Sequence, residues 1–144
     1  MNGGLLYLDS SALVKFVLSE PETDALVKFL TGWPERISSV LARVEVLRAV
    51  RRAGVGQAVY RRAESVVARI GLIGIDDAVL SLAADLRAPG LRTPDAIHLA
   101  TALSVGEELG ALISYDARLS RAATSSGIRV LAPGKEGWQM SFDP

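Results

Sequence analysis

At 144 residues, 49% hydrophobic and 22% charged, with 16 basic against 16 acidic side chains, the chain has the length and composition of one globular domain with its own core, not of a disordered segment. It has no cysteine and one histidine, His98, which excludes disulfides, thiol catalysis, thiolate metal sites and any metal site needing two imidazoles. No apolar run approaches the roughly 18 residues needed to cross a bilayer, and no basic-then-apolar leader opens the chain, so a cytoplasmic protein without a membrane partner is expected.

Leu5 to Leu8 is a continuous apolar run behind a Gly3-Gly4 breaker. It is too short for a helix and reads as a strand buried on both faces. Asp9 follows at its carboxyl end, the edge at which open α/β sheets bind ligands. Ser11 to Leu18 carries Leu13, Val14, Phe16 and Val17 in helical spacing and is ended by Glu20-Pro21-Glu22; Thr23 to Leu30 is a second helix, broken at Gly32-Trp33-Pro34. Arg36 to Ser38 is a short strand. Ser39 is placed to cap a helix from Val40 to Ala53, and Gly54 and Gly56 bracket the turn to a helix from Gln57 to Arg69, which makes an αα-hairpin. Gly71 to Ile75 is the third strand, and Asp76 caps a helix from Ala78 to Arg87. After a turn at Pro89-Gly90, Thr93 as N-cap and Pro94 as first helical residue open a helix to about Val105. Ala111 to Ser114 is the fourth strand, Asp116 caps a helix from Ala117 to about Thr124, and Ile128 to Leu131 is the fifth strand. From Pro133 onward there is no clear periodicity. The expectation is one α/β domain over residues 1–144, with 133–144 as a C-terminal tail and a central, mostly parallel sheet of about five strands flanked by helices.

Without thiols or paired imidazoles, chemistry falls to carboxylates, hydroxyls, lysine, arginine or backbone, and carboxylate-only sites favour hard cations such as Mg²⁺ or Mn²⁺. Asp9 and Asp116 repeat one local pattern: apolar strand, short turn, acid, helix. Each reads either as a helix N-cap, worth about 1 kcal/mol, or as a ligand at the sheet edge. Ser10 or Ser11 offers a substitute cap, so capping does not require Asp9, and the repetition favours a site. Ser114 adds a hydroxyl at that edge, able to orient a carboxylate or to stand simply as the last strand residue. Asp95 suits the first turn of its helix and equally points a carboxylate outward; it shares a face with His98 and Leu99, and a satisfied structural role is the plainer reading of a lone histidine. Glu45 groups with Leu41, Arg48 and Arg52 around its helix. It is either half of a surface Glu45–Arg48 pair, worth a few tenths of a kcal/mol, or an acid that reaches the sheet edge. Asp77 is a reserve candidate. Seven arginines (Arg43, Arg48, Arg51, Arg52, Arg61, Arg62, Arg69) stand against Glu45 and Glu64 alone between Arg43 and Arg69, as a solvated helical face or a phosphate-contacting one.

Four stretches together resemble a known family. Tyr7-Leu8-Asp9-Ser10-Ser11-Ala12-Leu13-Val14-Lys15 resembles the first motif of PIN-domain ribonucleases, especially the VapC toxins of toxin–antitoxin pairs. Arg43-Val44-Glu45-Val46-Leu47-Arg48-Ala49 is similar to the second, Thr93-Pro94-Asp95-Ala96-Ile97-His98-Leu99-Ala100-Thr101-Ala102 to the third and Ser114-Tyr115-Asp116-Ala117-Arg118-Leu119 to the fourth. They stand in the family's order over nearly the whole chain.

The resemblance implies a single PIN domain acting as a Mg²⁺-dependent endoribonuclease, with Mn²⁺ as the alternative ion, and as the toxin of a type II toxin–antitoxin pair. It would hydrolyse RNA phosphodiester bonds to 5′-phosphate and 3′-hydroxyl ends. The resemblance carries over Asp9, Glu45, Asp95 and Asp116 as the catalytic acids, with Asp9, Asp95 and Asp116 as metal ligands, Glu45 positioning the nucleophile, Ser114 in support, and Arg48, Arg52 and Arg118 toward RNA. It also implies a homodimer and a VapB-like antitoxin lying in a helical groove, for which Leu13, Phe16, Val17, Leu26, Phe29 and Leu30 are the candidates; the same side chains suit sheet-facing core. Two other classes are weighed. An inert PIN-like RNA-binding or adaptor domain is disfavoured by the complete acid set. A phospho-receiver module needs a late lysine near its site, and no lysine lies between Lys28 and Lys135.

Overall fold

The computed structural model describes residues 4–135. In chain order they form β1 (Leu5–Leu8), α1 (Ser10–Val17), α2 (Thr23–Leu30), β2 (Arg36–Ser39), α3 (Leu41–Ala53), α4 (Gln57–Ala68), β3 (Gly71–Ile73), α5 (Asp77–Asp85), α6 (Thr93–Val105), a 3₁₀ turn at Gly106–Glu108, β4 (Leu109–Ile113), α7 (Ala117–Ser125) and β5 (Val130–Leu131). Every strand pairing is parallel, and the sheet order is β3-β2-β1-β4-β5. The chain thus builds outward from β1 through β2 to β3, then returns to the other side of β1 for β4 and β5. That reversal opens a crevice between the carboxyl ends of β1 and β4.

The apolar runs explain why the sheet is covered twice. Successive strand side chains point to opposite faces, so Leu6, Leu8, Ala111 and Ile113 face one core, where Leu13, Val17, Val46, Val50, Ala63 and Val67 of α1, α3 and α4 cover them. Tyr7 and Leu112 face the other, where Leu99, Ala102, Leu119 and Ala123 of α6 and α7 close over them. The first core also takes Leu26 and Leu30 of α2. Of the side chains expected to line an antitoxin groove, Leu13, Val17, Leu26 and Leu30 are therefore core, and Phe16 and Phe29 are only partly buried against it.

Several boundaries differ from the sequence expectation, each for a local reason. β3 ends at Ile73 and not Ile75, because its partner β2 ends at Ser39 in the Ser39↔Ile73 register. β4 starts two residues early, at Leu109, and stops at Ile113, while β5 is confined to the residues that pair with it. Arg92, not Thr93, is the N-cap of α6, with no side-chain cap bond; Pro94 has no N–H to donate and a first turn does not need one. Val40 occupies the cap position of α3, and Ser39 reaches past it to accept from the Leu41 N–H at 3.1 Å. Gly4 has φ +94°, and a Cβ there would stand 2.7 Å from the Glu108 carbonyl oxygen; only glycine admits that approach, where the β1–β4 register shifts. At the far end the Tyr115 hydroxyl donates to the Pro133 carbonyl at 2.7 Å. Residues 136–144 of the expected tail lie outside the described residues.

Leu112 is fully buried at the centre of the sheet. Leu112→Ala is expected to cost about 2–5 kcal/mol, read as a lowered midpoint in urea denaturation at unchanged slope.

Candidate active site

Parallel pairing of β1 with β4 aligns Leu8 with Ile113, and the Asp9 N–H donates to the Ile113 carbonyl at 3.2 Å. Asp9 and Ser114, 105 residues apart in sequence, therefore leave the sheet side by side, and the Ser114 Oγ donates to Asp9 Oδ2 at 2.6 Å. The other oxygen, Oδ1, accepts from the Ser11 Oγ at 2.6 Å and the Ala12 N–H at 2.9 Å. Ser11 in turn accepts from the Tyr115 N–H at 2.9 Å, and Ser114 accepts from the Asp116 N–H at 3.1 Å. Two serine hydroxyls thus lash the β1–α1 junction to the β4–α7 junction. Asp9 is itself the α1 N-cap, so the substitute caps expected at Ser10 or Ser11 are not used. Both serines lie inside the first turn, and Ser11 serves the carboxylate instead.

Asp9 is buried, and burial drives its pKa above the ordinary aspartate value although the Ser11, Ser114 and Ala12 hydrogen bonds pull it down. Asp95, half-buried in the first turn of α6, is also raised, first by burial and then by repulsion from Asp116. Asp116 caps α7, its Oδ1 accepting from the N–H groups of Arg118 at 2.9 Å and Leu119 at 3.0 Å. Asp95 and Asp116 are thus neighbours in the electrostatic sense.

Glu45 does not pair with Arg48. Its Oε1 meets the His98 Nε2 at 2.6 Å, and the His98 Nδ1 meets the Tyr7 hydroxyl at 2.7 Å. An ionised carboxylate only accepts, so Nε2 carries the proton, and in the neutral ring Tyr7 donates to Nδ1. Burial holds the Tyr7 phenol protonated, far above its usual range. His98 is fully buried while the Glu45 side chain is 27% exposed. A buried relay from β1 through α6 therefore aims an acid of α3 at solvent. The histidine expected to be merely structural is satisfied, and satisfied by a site residue.

Glu45 opens into a groove of about 490 Å³ between α1 and α3, which Ser10, Ser11, Lys15, Arg48, Arg52 and Tyr115 also line. Arg48 and Arg52 stand exposed on its wall. Lys15 does not act as a free cation there. It donates to Glu20 at 2.7 Å and Glu22 at 3.0 Å and lies 5.0 Å from the Tyr115 ring centre. Asp77, the reserve acid, sits exposed in the first turn of α5, next to the Asp76 cap. The sequence gives no local signal for the roles of Tyr7, Ser11 and Lys15, because all three depend on partners from other elements or the next turn.

The donors suit a hard divalent cation. They are carboxylate and hydroxyl oxygens, and two of the acids, Asp9 and Asp95, bear a burial penalty on their charged form that a cation would relieve. Among the described residues no three acid, histidine or cysteine side chains are drawn together as a ready-made ligand cluster; protein hydroxyls and N–H groups hold the carboxylates instead.

The chain as a whole is similar to known proteins. Residues 6–125 match the family model described as PIN domain. The chain is 45% identical over 128 residues to "Ribonuclease VapC46" of Mycobacterium tuberculosis, covering 89% of this chain and 97% of that protein. Among solved structures, VapC20 of the same organism, described as a "Sarcin-Ricin loop cleaving toxin", superposes with a TM-score of 0.72 at 12% identity over 89% of this chain and 99% of that one. A toxin–antitoxin complex from Klebsiella pneumoniae gives a TM-score of 0.62 at 22% identity over 77% and 86% of the two chains. These likenesses at low identity are likenesses of fold.

The raised Asp9 pKa has a stability consequence whose sign is fixed. The folded state holds the Asp9 proton more tightly than the unfolded state does, so its contribution is present at low pH and lost as pH rises through the folded pKa. Asp9→Asn removes that loss. In EDTA, the melting temperature of Asp9→Asn minus that of the native chain is expected to be smallest near pH 4 and to grow toward pH 8, as read by thermal melts across that range.

Proposed function

The chain belongs to the PIN-domain family, and we propose that it is a metal-dependent endoribonuclease, the toxin of a type II toxin–antitoxin pair. The observation that carries this reading is the lashed pair Asp9–Ser114 at the β1/β4 crevice, with Asp95 and Asp116 in mutual repulsion and Glu45 held by His98 in the groove that Ser11 and Tyr115 also line. Relatives 45% and 42% identical over nearly their full lengths bear the name ribonuclease.

Asp9, Asp95 and Asp116 are the residues that would hold the ion, Mg²⁺ first and Mn²⁺ as the alternative. When the ion is bound, the chemistry supplied is neutralisation of phosphate charge and a lowered pKa for the attacking water. The remaining work belongs to the chain. Ser11 and Ser114 fix the orientation of Asp9, and the Asp116 cap bonds fix the direction of its free oxygen. Glu45, with Oε1 tied to His98, keeps Oε2 to orient the water and accept its proton. Arg48, Arg52 and Arg118 meet RNA phosphates, Arg being suited to bidentate contacts.

Residues 1–144 form one catalytic domain in this reading. The partners are RNA, a VapB-like antitoxin and a second copy of the chain, and the location is the cytoplasm. Among the described residues no helix is long and apolar enough to cross a membrane.

Incubation of RNA with the purified chain is expected to give cleavage that requires Mg²⁺, stops in EDTA and is abolished in Asp9→Asn and Asp116→Asn. Undiminished cleavage in EDTA or by Asp9→Asn would overturn the assignment. RNA binding without cleavage under any divalent ion would favour the inert adaptor reading.

His98→Ala is expected to lower the rate about 10–100-fold, the usual cost of losing the group that orients a site residue. Because His98 acts through Glu45, the double variant His98→Ala/Glu45→Gln should be no slower than Glu45→Gln alone. Additive losses would separate the two residues.

A further inference from the structure

A second cleft, of about 630 Å³, is lined by α6, α7 and the α5–α6 connection, whose apolar residues belong to the core on the opposite face of the sheet from α1 and α3. One wall is α7, whose Arg118, Arg121 and Ser125 share a face at helical spacing. The opposite wall is the α5–α6 connection with Arg87, and the floor is apolar: Leu86, Leu99 and Ala122. Its two helices are the ones that carry the outer acids. Arg118 stands two residues beyond Asp116 in α7, and Leu99 one turn beyond Asp95 in α6. From Arg118 to Ser125 the α7 face runs about 10 Å, starting two residues from Asp116.

Its charge is not compensated. No carboxylate lines the cleft, and among the described residues none of Arg87, Arg118 and Arg121 has a carboxylate partner, all three being exposed. In the Glu45 groove, by contrast, Glu20 and Glu22 neutralise Lys15. Three free guanidiniums above an apolar floor suit a ligand that is anionic along one edge and flat and weakly polar along the other. A free inorganic anion would leave the floor unused, and an uncharged apolar ligand would leave the guanidiniums unused. A nucleotide of a single strand uses both, since unpaired bases pack on apolar surfaces and guanidinium planes while the backbone meets cations.

We propose that this cleft is an RNA subsite, which takes one unpaired nucleotide flanking the scissile phosphate, with its base over Leu86, Leu99 and Ala122 and its phosphates on Arg87, Arg118 and Arg121. The inference rests on the nuclease reading and adds to it the place at which α7 and the α5–α6 connection hold a nucleotide beside the reacting one; a paired base cannot enter there.

The test measures affinity of the full chain for a fluorescent single-stranded oligoribonucleotide in EDTA, where cleavage is stopped. Arg121→Ala and Arg87→Ala are each expected to raise Kd several-fold and to flatten the plot of log K against log salt by about 0.7, the single-strand value per phosphate contact. Ser125→Trp fills the cleft and changes no charge, so it should raise Kd without flattening that slope. Lys28→Ala, an exposed cation of α2 outside the cleft, should bind as the native chain does. With Mg²⁺ present, Arg121→Ala should raise KM for RNA more than it lowers kcat. Native affinity in both Arg121→Ala and Ser125→Trp, or equal affinity of the native chain for a duplex of the same sequence, overturns the subsite. A change of oligomeric state in Ser125→Trp on size-exclusion chromatography also overturns it, by marking the cleft as a contact between copies. If the native chain fails to cleave RNA yet the variants weaken binding as described, the nuclease reading falls, and the cleft stands as a single-strand RNA-binding site without a scissile phosphate beside it. If cleavage is present and binding is indifferent to the variants, only the subsite falls.

Discussion

The register between β1 and β4 is the constraint on which this structure turns. With Leu8 opposite Ile113, Asp9 and Ser114 leave the sheet as neighbours, and a slip of one residue would turn the strand's side chains to the opposite faces. Leu6 and Leu8 would then face the α6–α7 core and Tyr7 the α1–α3 core. The register is therefore held by the two hydrophobic cores, and the acid site is placed by packing that has nothing to do with chemistry. Gly4 permits the close approach at the start of the pair, and the serine pair Ser11 and Ser114 fastens its end.

Two of the four acids are held in place by helix capping. Asp9 caps α1 and Asp116 caps α7, and the cap bonds use one carboxylate oxygen of each. A cap fixes a side chain's torsions at the end of a rigid element, and a ligand or catalytic carboxylate needs the same pre-orientation. The capping role is observed for both, and it leaves the second oxygen of Asp116 unused by the cap and that of Asp9 held by Ser114. The cost appears elsewhere: a buried Asp9 whose charged form is disfavoured, and an Asp95 crowded by Asp116. Stability held back at an active site is a common trade.

The relay from Tyr7 through His98 to Glu45 ties the fold's three layers together at one point. Tyr7 comes from the central strand, His98 from a helix on one face and Glu45 from a helix that packs chiefly on the other. It joins the core to the rim of the crevice, so the position of Glu45 is fixed by residues that never meet solvent. The cleft along α7 carries Arg87, Arg118 and Arg121 and no carboxylate, where the Glu45 groove is mixed in charge.

The elements and the acid pattern are legible in the residues alone. Short apolar runs, helical spacing and glycine or proline breaks are local signals, and every helix and strand stands close to its expected place. The four acids stand out because their motifs recur in a family order. Boundaries such as the ends of β3 and β4 were less legible, since a strand extends only as far as its partner does. Packing in three dimensions is what sets β4 beside β1 across 105 residues, Ser114 on Asp9, His98 on Glu45, and Leu13, Val17, Leu26 and Leu30 in the core. The physical reason is the same in each case. Hydrogen bonds, electrostatic repulsion and burial act between groups close in space, and the sheet order that brings them close is set by how two apolar faces are covered at once. Asp9 could be read as an acid at a strand end; that it is buried, doubly bonded to serine hydroxyls and hard to ionise belongs to the fold.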